Sequence, residues 1–213
     1  MHDPTIVMIH IIIGSIGLLG GFVSLFSTKG SKIHKNGGWI FISGMIVAII
    51  STLMFMRDNF LPLAIIMCIA SFYLMVSAVT TIRVKSRWAI TLDYIFLIFP
   101  LVLFVFPLMN MMRNLPDFTF VSLGQIVLSL TFLYCVIDDV QYLRRLKKSQ
   151  TPNIGRHLFK MILAFTFGIM AVLRIGVKVD FIDLEFTVIV PLIVGMIIAL
   201  NMKRKFPIIE LSS

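Results

Sequence analysis

The sequence predicts an all-α membrane protein: one domain built as a bundle of seven transmembrane helices. Three observations predict it. Hydrophobic residues fill 59% of the 213 positions and charged residues only 14%, where a soluble domain has about half and about a quarter. The mean hydropathy is +1.01. The apolar residues also fall in runs of about 20, the length that crosses a bilayer core, and the connections between them are too short to hold a soluble domain.

The spans follow in order. The first, about 5–27, is punctuated by Gly14, Gly17, Gly20 and Gly21. The second, about 38–56, follows a basic 28–37 loop that includes His34. The third, about 60–82, leads into the basic 83–87 loop. The fourth, about 88–109, carries Pro100 and Pro107, which are expected to kink it near the middle and the outer end. The fifth, about 117–139, closes on Asp138 and Asp139. A connection of about 140–156 holds the breakers Pro152 and Gly155. The sixth, about 157–177, and the seventh, about 185–202, complete the bundle.

Charge placement predicts orientation. Fourteen of the nineteen Lys and Arg fall in the 28–37, 83–87 and 140–156 loops and the tail after 202. The positive-inside rule makes that side cytoplasmic, with the N-terminus outside and the C-terminus inside. Trp39 and Trp88 open spans on the same side, at headgroup level. The outer segments collect Asp3, Asp58, Asp117, Asp180, Asp183 and Glu185. The formal net charge of +9 is thus explained by topology, and the expected partner is a bilayer with anionic headgroups rather than nucleic acid. Met1-His2-Asp3-Pro4 has no basic n-region, so no cleaved signal peptide is expected. Cys68 and Cys135 lie in apolar runs and make no disulfide framework.

Ionisable groups inside spans are expensive and face the bundle interior by default. In the first span, His10, Gly14, Gly17 and Gly21 fall within about 60° of one another, so His10 points into a close helix contact at a G-x-x-x-G step. The sixth span is read with His157 and Arg174 near its two ends, about 25 Å apart, on a face with Ala164, Gly168 and Ala171. Lys160 lies to one side of it. Arg174 is expected to pair with an outer carboxylate, Asp117 before Asp180, Asp183 or Glu185. Gln125, Ser129 and Asp139 give the fifth helix a polar edge. His34, Asp93, Asp138, Asp139, His157 and Lys160 form an inner-leaflet group. Its simplest reading is ion pairing, Asp138 or Asp139 with Lys160 or Arg156. A transition metal held by Asp93, Asp139 and His157 is the sharper one. Tyr73 and Tyr134 read as packing residues. The sequence has no phosphate loop, nucleophile elbow or dinucleotide fingerprint.

Two resemblances attach to these residues. His10-x3-Gly14 with its trailing glycines, Lys32-x-His34-x3-Gly38, and Arg156-His157 with Arg174 seventeen residues on resemble a family of bacterial predicted polytopic membrane proteins, known mainly as a domain of unknown function. That resemblance implies a multi-pass protein of the bacterial inner membrane and no particular activity. The histidine-and-glycine first span is also distantly similar to cytochrome b561-like haem bundles. It implies at most one haem b, on His34 with His157 or at a His/Met site using one of the methionines, with His10 a further candidate ligand that lacks an outer histidine partner.

Three functional classes remain at this point. A redox protein would hold a haem or metal between His34 and His157. A proton-coupled small-solute transporter would use His10, Asp93, Asp139, His157 and Arg174 as a polar path. A structural membrane partner would need no chemistry. A membrane hydrolase with a His/Asp metal site is a more distant fourth.

Overall fold

The computed structural model describes residues 4–56, 62–113, 120–147, 151–176 and 186–206. The described residues form helices and no strand: α1 (Pro4–Phe26), α2 (Lys32–Phe55), α3 (Pro62–Ile82), α4 (Arg87–Phe96), α5 (Ile98–Arg113), α6 (Phe120–Leu146), α7 (Ile154–Gly176) and α8 (Phe186–Lys205). Since α4 and α5 together make one apolar stretch, seven helical segments are long and apolar enough to cross a membrane. Their flanks present Ile11, Ile12, Leu19, Phe22, Ile98, Leu101 and Phe106 outward. Lipid is the solvent that such a surface fits. The chain divides into two compact units, Met1–Phe72 and Tyr73–Ser213, with the boundary inside α3.

The first unit is dominated by an antiparallel α1–α2 hairpin packed through glycine. A Cβ placed on Gly44 would lie 2.6 Å from the Gly17 Cα, and one on Gly37 would lie 2.7 Å from the Gly20 carbonyl oxygen. Only hydrogen at those positions lets the backbones approach so closely. The glycine step expected at Gly17–Gly21 is therefore realised as Gly17 on Gly44 and Gly20 on Gly37. His10 does face this contact: its Nδ1 lies 2.8 Å from the Ser51 hydroxyl, with the Phe55 ring edge-on.

The hairpin turn corrects the expected position of His34. Gly30 has a φ of +81° and Ser31 N–H donates to Thr28 O, a turn that needs glycine at its third position. Ser31 then caps α2 by accepting from the His34 N–H. This cap starts the helix at Lys32, several residues before the apolar run, so His34 sits in its first turn and not in a loop. The Ser24 carbonyl, near the end of α1, accepts from His34 Nδ1, the Ser27 hydroxyl and Lys29 Nζ. Ser24 Oγ in turn donates to the His34 carbonyl. These donors satisfy carbonyls that a helix end otherwise leaves bare. Partial burial here pulls the Lys29 ammonium below its ordinary range.

In the second unit, α7 is the enclosed helix. Leu158, Phe159, Leu163, Ala164 and Phe167 are all buried. It packs on α8, where Gly195 admits Thr166, and the backbone of Gly155 abuts the Lys203 and Phe206 carbonyls. Asn153 caps it by accepting from the Arg156 N–H, which starts the helix at Ile154 instead of 157. Seventeen residues leave His157 and Arg174 about 100° apart around a helix, so they do not share a face. His157, like Met161, Phe165 and Ile169, is less buried than its neighbours, although Ala164 and Gly168 lie within about 20° of it around the helix. The expected pairing of Arg174 with Asp117, Asp180, Asp183 or Glu185 involves side chains outside the described residues.

The fourth span breaks at Leu97. Proline lacks an N–H and its ring presses on the carbonyl four residues back, and four residues before Pro100 is Phe96, where α4 ends. Pro107 lies within α5 without ending it. Beyond Asp139, α6 continues to Leu146 because Tyr142, Leu143 and Leu146 pack with Val84, Ile90 and Leu97. The two aspartates are therefore interior helix residues rather than a helix end.

Candidate functional site

The acids of α6 meet the cations of α7 in a buried lattice within the second unit. Asn153 fixes where α7 begins, and the i, i+4 spacing then puts Arg156 and Lys160 on one face. Both are sealed from solvent, at 1% and 0% relative exposure, so every donor must find an acceptor inside the protein. Arg156 Nε donates to Asp138 Oδ2 at 3.1 Å, and Nη2 donates to Asp139 Oδ1 and the Ser77 hydroxyl, each at 2.8 Å. Its Nη1 donates to the Ser77 carbonyl at 3.3 Å and to the Thr81 hydroxyl. The guanidinium also lies over the Tyr142 ring.

Lys160 Nζ donates to Asp139 Oδ1 at 2.6 Å and to the Tyr73 hydroxyl, and Tyr73 donates to Asp139 Oδ2. Asp139 thus receives two cations and a phenol. Asp138 receives Arg156 and Lys203, and Lys203 also donates to the Tyr134 hydroxyl at 3.0 Å. Lys203 is the lattice cation with appreciable exposure, its side chain at 26%.

Asp93 stands at the edge of this lattice with fewer partners. Its Oδ1 lies 2.7 Å from the Thr80 hydroxyl, while buried Oδ2 has no hydrogen-bond partner. The Tyr142 hydroxyl, also buried, lies within electrostatic reach of Asp93 and Thr81 but closes no hydrogen bond. Counting Asp93, three acids face three bases.

The ion pairs expected between Asp138 or Asp139 and Lys160 or Arg156 are present. Arg156 itself moves from a loop charge to the centre of the lattice. The metal set of Asp93, Asp139 and His157 is not assembled: among the described residues no three His, Cys, Asp or Glu side chains group to hold a metal ion, and the oxygens of Asp139 are committed to Tyr73, Arg156 and Lys160. His157 Nδ1 donates to the Ala78 carbonyl at 2.9 Å. His34 and His10 belong to the first unit, bonded as described above. Gln125 is half-buried on α6, about 21 Å along the axis from Asp139. Cys68 and Cys135 are buried free thiols.

Sequence reasoning missed Ser77, Thr80, Thr81 and Tyr142, took Tyr73 and Tyr134 for packing, and counted Lys203 as a tail charge. A signal for the α3 members was present. Tyr73, Ser77, Thr80 and Thr81 recur at spacings of three and four, which makes one polar helix face. For Lys203 no local signal exists, because its partner lies on another helix.

The fold and this lattice define an α-helical multi-pass membrane protein with a buried, charge-balanced ion network. No family model, curated protein or solved structure matches the chain.

Proposed function

We propose that the chain is a proton-coupled carrier of small solutes in a bacterial cytoplasmic membrane, oriented with the lattice end towards the cytoplasm. One observation carries this reading: three carboxylates and three cations lie among helices long and apolar enough to span lipid. Charges at such positions are costly and mark ion or substrate pathways by default. Stability alone is a weak reason to keep them, since well-packed apolar residues in place of a buried ion network are often neutral or stabilising. Lys203, linked to Asp138 and partly exposed, offers the network a route to water. The basic loops and the tryptophans at headgroup level support the orientation.

The test is flux. The purified protein is reconstituted in liposomes with an internal pH dye, and an imposed proton gradient is challenged with a panel of amino acids, sugars, organic acids and organic cations. At least one solute class should dissipate the gradient saturably in wild type and not in Lys160→Met. A panel in which no class does so overturns the reading.

A further inference from the structure

We propose that Asp93 is the residue that binds and releases the coupled proton, with Thr80 as the hydroxyl switch that stays bonded to it in both states. This deepens the carrier reading and rests on it. Among the three lattice carboxylates, Asp139 accepts from Tyr73, Arg156 and Lys160, and Asp138 accepts from two cations. A proton added to either would neutralise a carboxylate that pairs with two cations. Asp93 is 6% exposed and has a hydroxyl as its single close partner.

The Thr80 hydroxyl has one hydrogen and three acceptors in reach. Its Oγ1 lies 2.7 Å from Asp93 Oδ1 and 3.1 Å from each of the Val76 and Ser77 carbonyls. When Asp93 is ionised, the Thr80 O–H donates to Oδ1, and Oδ2 is left without a partner. When a proton from water adds to Oδ1, the new O–H donates to Thr80 Oγ1. Thr80 then turns its own hydrogen to the Val76 or Ser77 carbonyl. One proton enters, no bond to carbon changes, and the reverse step returns the proton to water. The Thr80–Asp93 hydrogen bond persists in both states by the turning of one hydroxyl, without moving the helices.

The state of Asp93 is sensed by the groups around it. Thr80 faces it from α3, Asp139 and Tyr142 from α6, and Arg156 and Lys160 from α7. On α5, which packs against the same helix, the titratable residue is Arg113, at its far end. Tyr142 stands between Asp93 and the lattice, because its ring underlies Arg156 while its hydroxyl lies within electrostatic reach of Asp93.

Infrared difference spectroscopy of the full chain in lipid tests this without any solute. Stepping the pH should reveal a protonated-carboxyl stretch that is absent in Asp93→Asn and shifted to higher frequency in Thr80→Val, which keeps the shape and removes the hydroxyl. Thr80→Val also serves if Asp93→Asn fails to fold. A wild type without such a band, a band that survives Asp93→Asn, or a band unmoved in Thr80→Val overturns the assignment. A correct band alongside failed solute-driven flux would leave the proton site standing and remove the carrier reading.

Discussion

The Arg156 guanidinium carbon lies 3.8 Å from the centroid of the Tyr142 ring. A cation on an aromatic face is attracted by the ring quadrupole, and more strongly when both are removed from water. The geometry separates two parts of one side chain, since the ring holds the arginine while the buried hydroxyl closes no hydrogen bond. Tyr142→Phe should retain most of the thermal stability in detergent, whereas Tyr142→Leu should lose about 1–2 kcal/mol more. Equal losses in the two variants would show that the ring face contributes nothing.

Lys160 and Asp139 should be strongly coupled. Removing one partner strands the other in a site without water, a loss of about 3–5 kcal/mol. Lys160→Met should therefore unfold at clearly lower denaturant concentration, and the double variant Lys160→Met with Asp139→Asn should recover part of the loss. Additive losses in that cycle would contradict the pairing at 2.6 Å.

The α1–α2 hairpin should discriminate between neighbouring glycines. A Cβ on Gly38 would meet the Ser24 hydroxyl at an ordinary 3.6 Å, while one on Gly44 would press on backbone at 2.6 Å. Gly38→Ala should be neutral or gain up to about 1 kcal/mol from helix propensity, and Gly44→Ala should lower abundance in the membrane. Membrane-fraction yields of the two variants decide it.

Reporter fusions should place positions 30, 85 and 147 on one side of the membrane, the cytoplasmic side in the proposed orientation. A fusion near 115 should report the other side. Activity of a periplasmic reporter at position 85 would reverse the orientation.

The membrane class and the seven spans were legible in the sequence because lipid imposes a length and a composition on each segment independently. The same reasoning flagged His10, Asp138, Asp139 and Lys160, since an ionisable residue in an apolar run is conspicuous wherever its partner is. Helix starts were legible less well: Ser31 and Asn153 cap α2 and α7 ahead of the apolar runs, moving His34 and Arg156 out of loops. Hydrophobicity does not register a cap, because a cap acts through one hydrogen bond. The fold alone decided who pairs with whom. Asp139 lies 66 residues from Tyr73, and Asp138 lies 65 from Lys203. No periodicity within a helix specifies which neighbour it meets, so those partners were settled by tertiary packing, with Gly155 close against the Lys203 backbone. Arg156 shows both contributions. Its charge was visible in the chain, but its burial among Asp138, Asp139, Ser77 and Thr81 arises only where three helices converge, because a guanidinium removed from water must have every donor met.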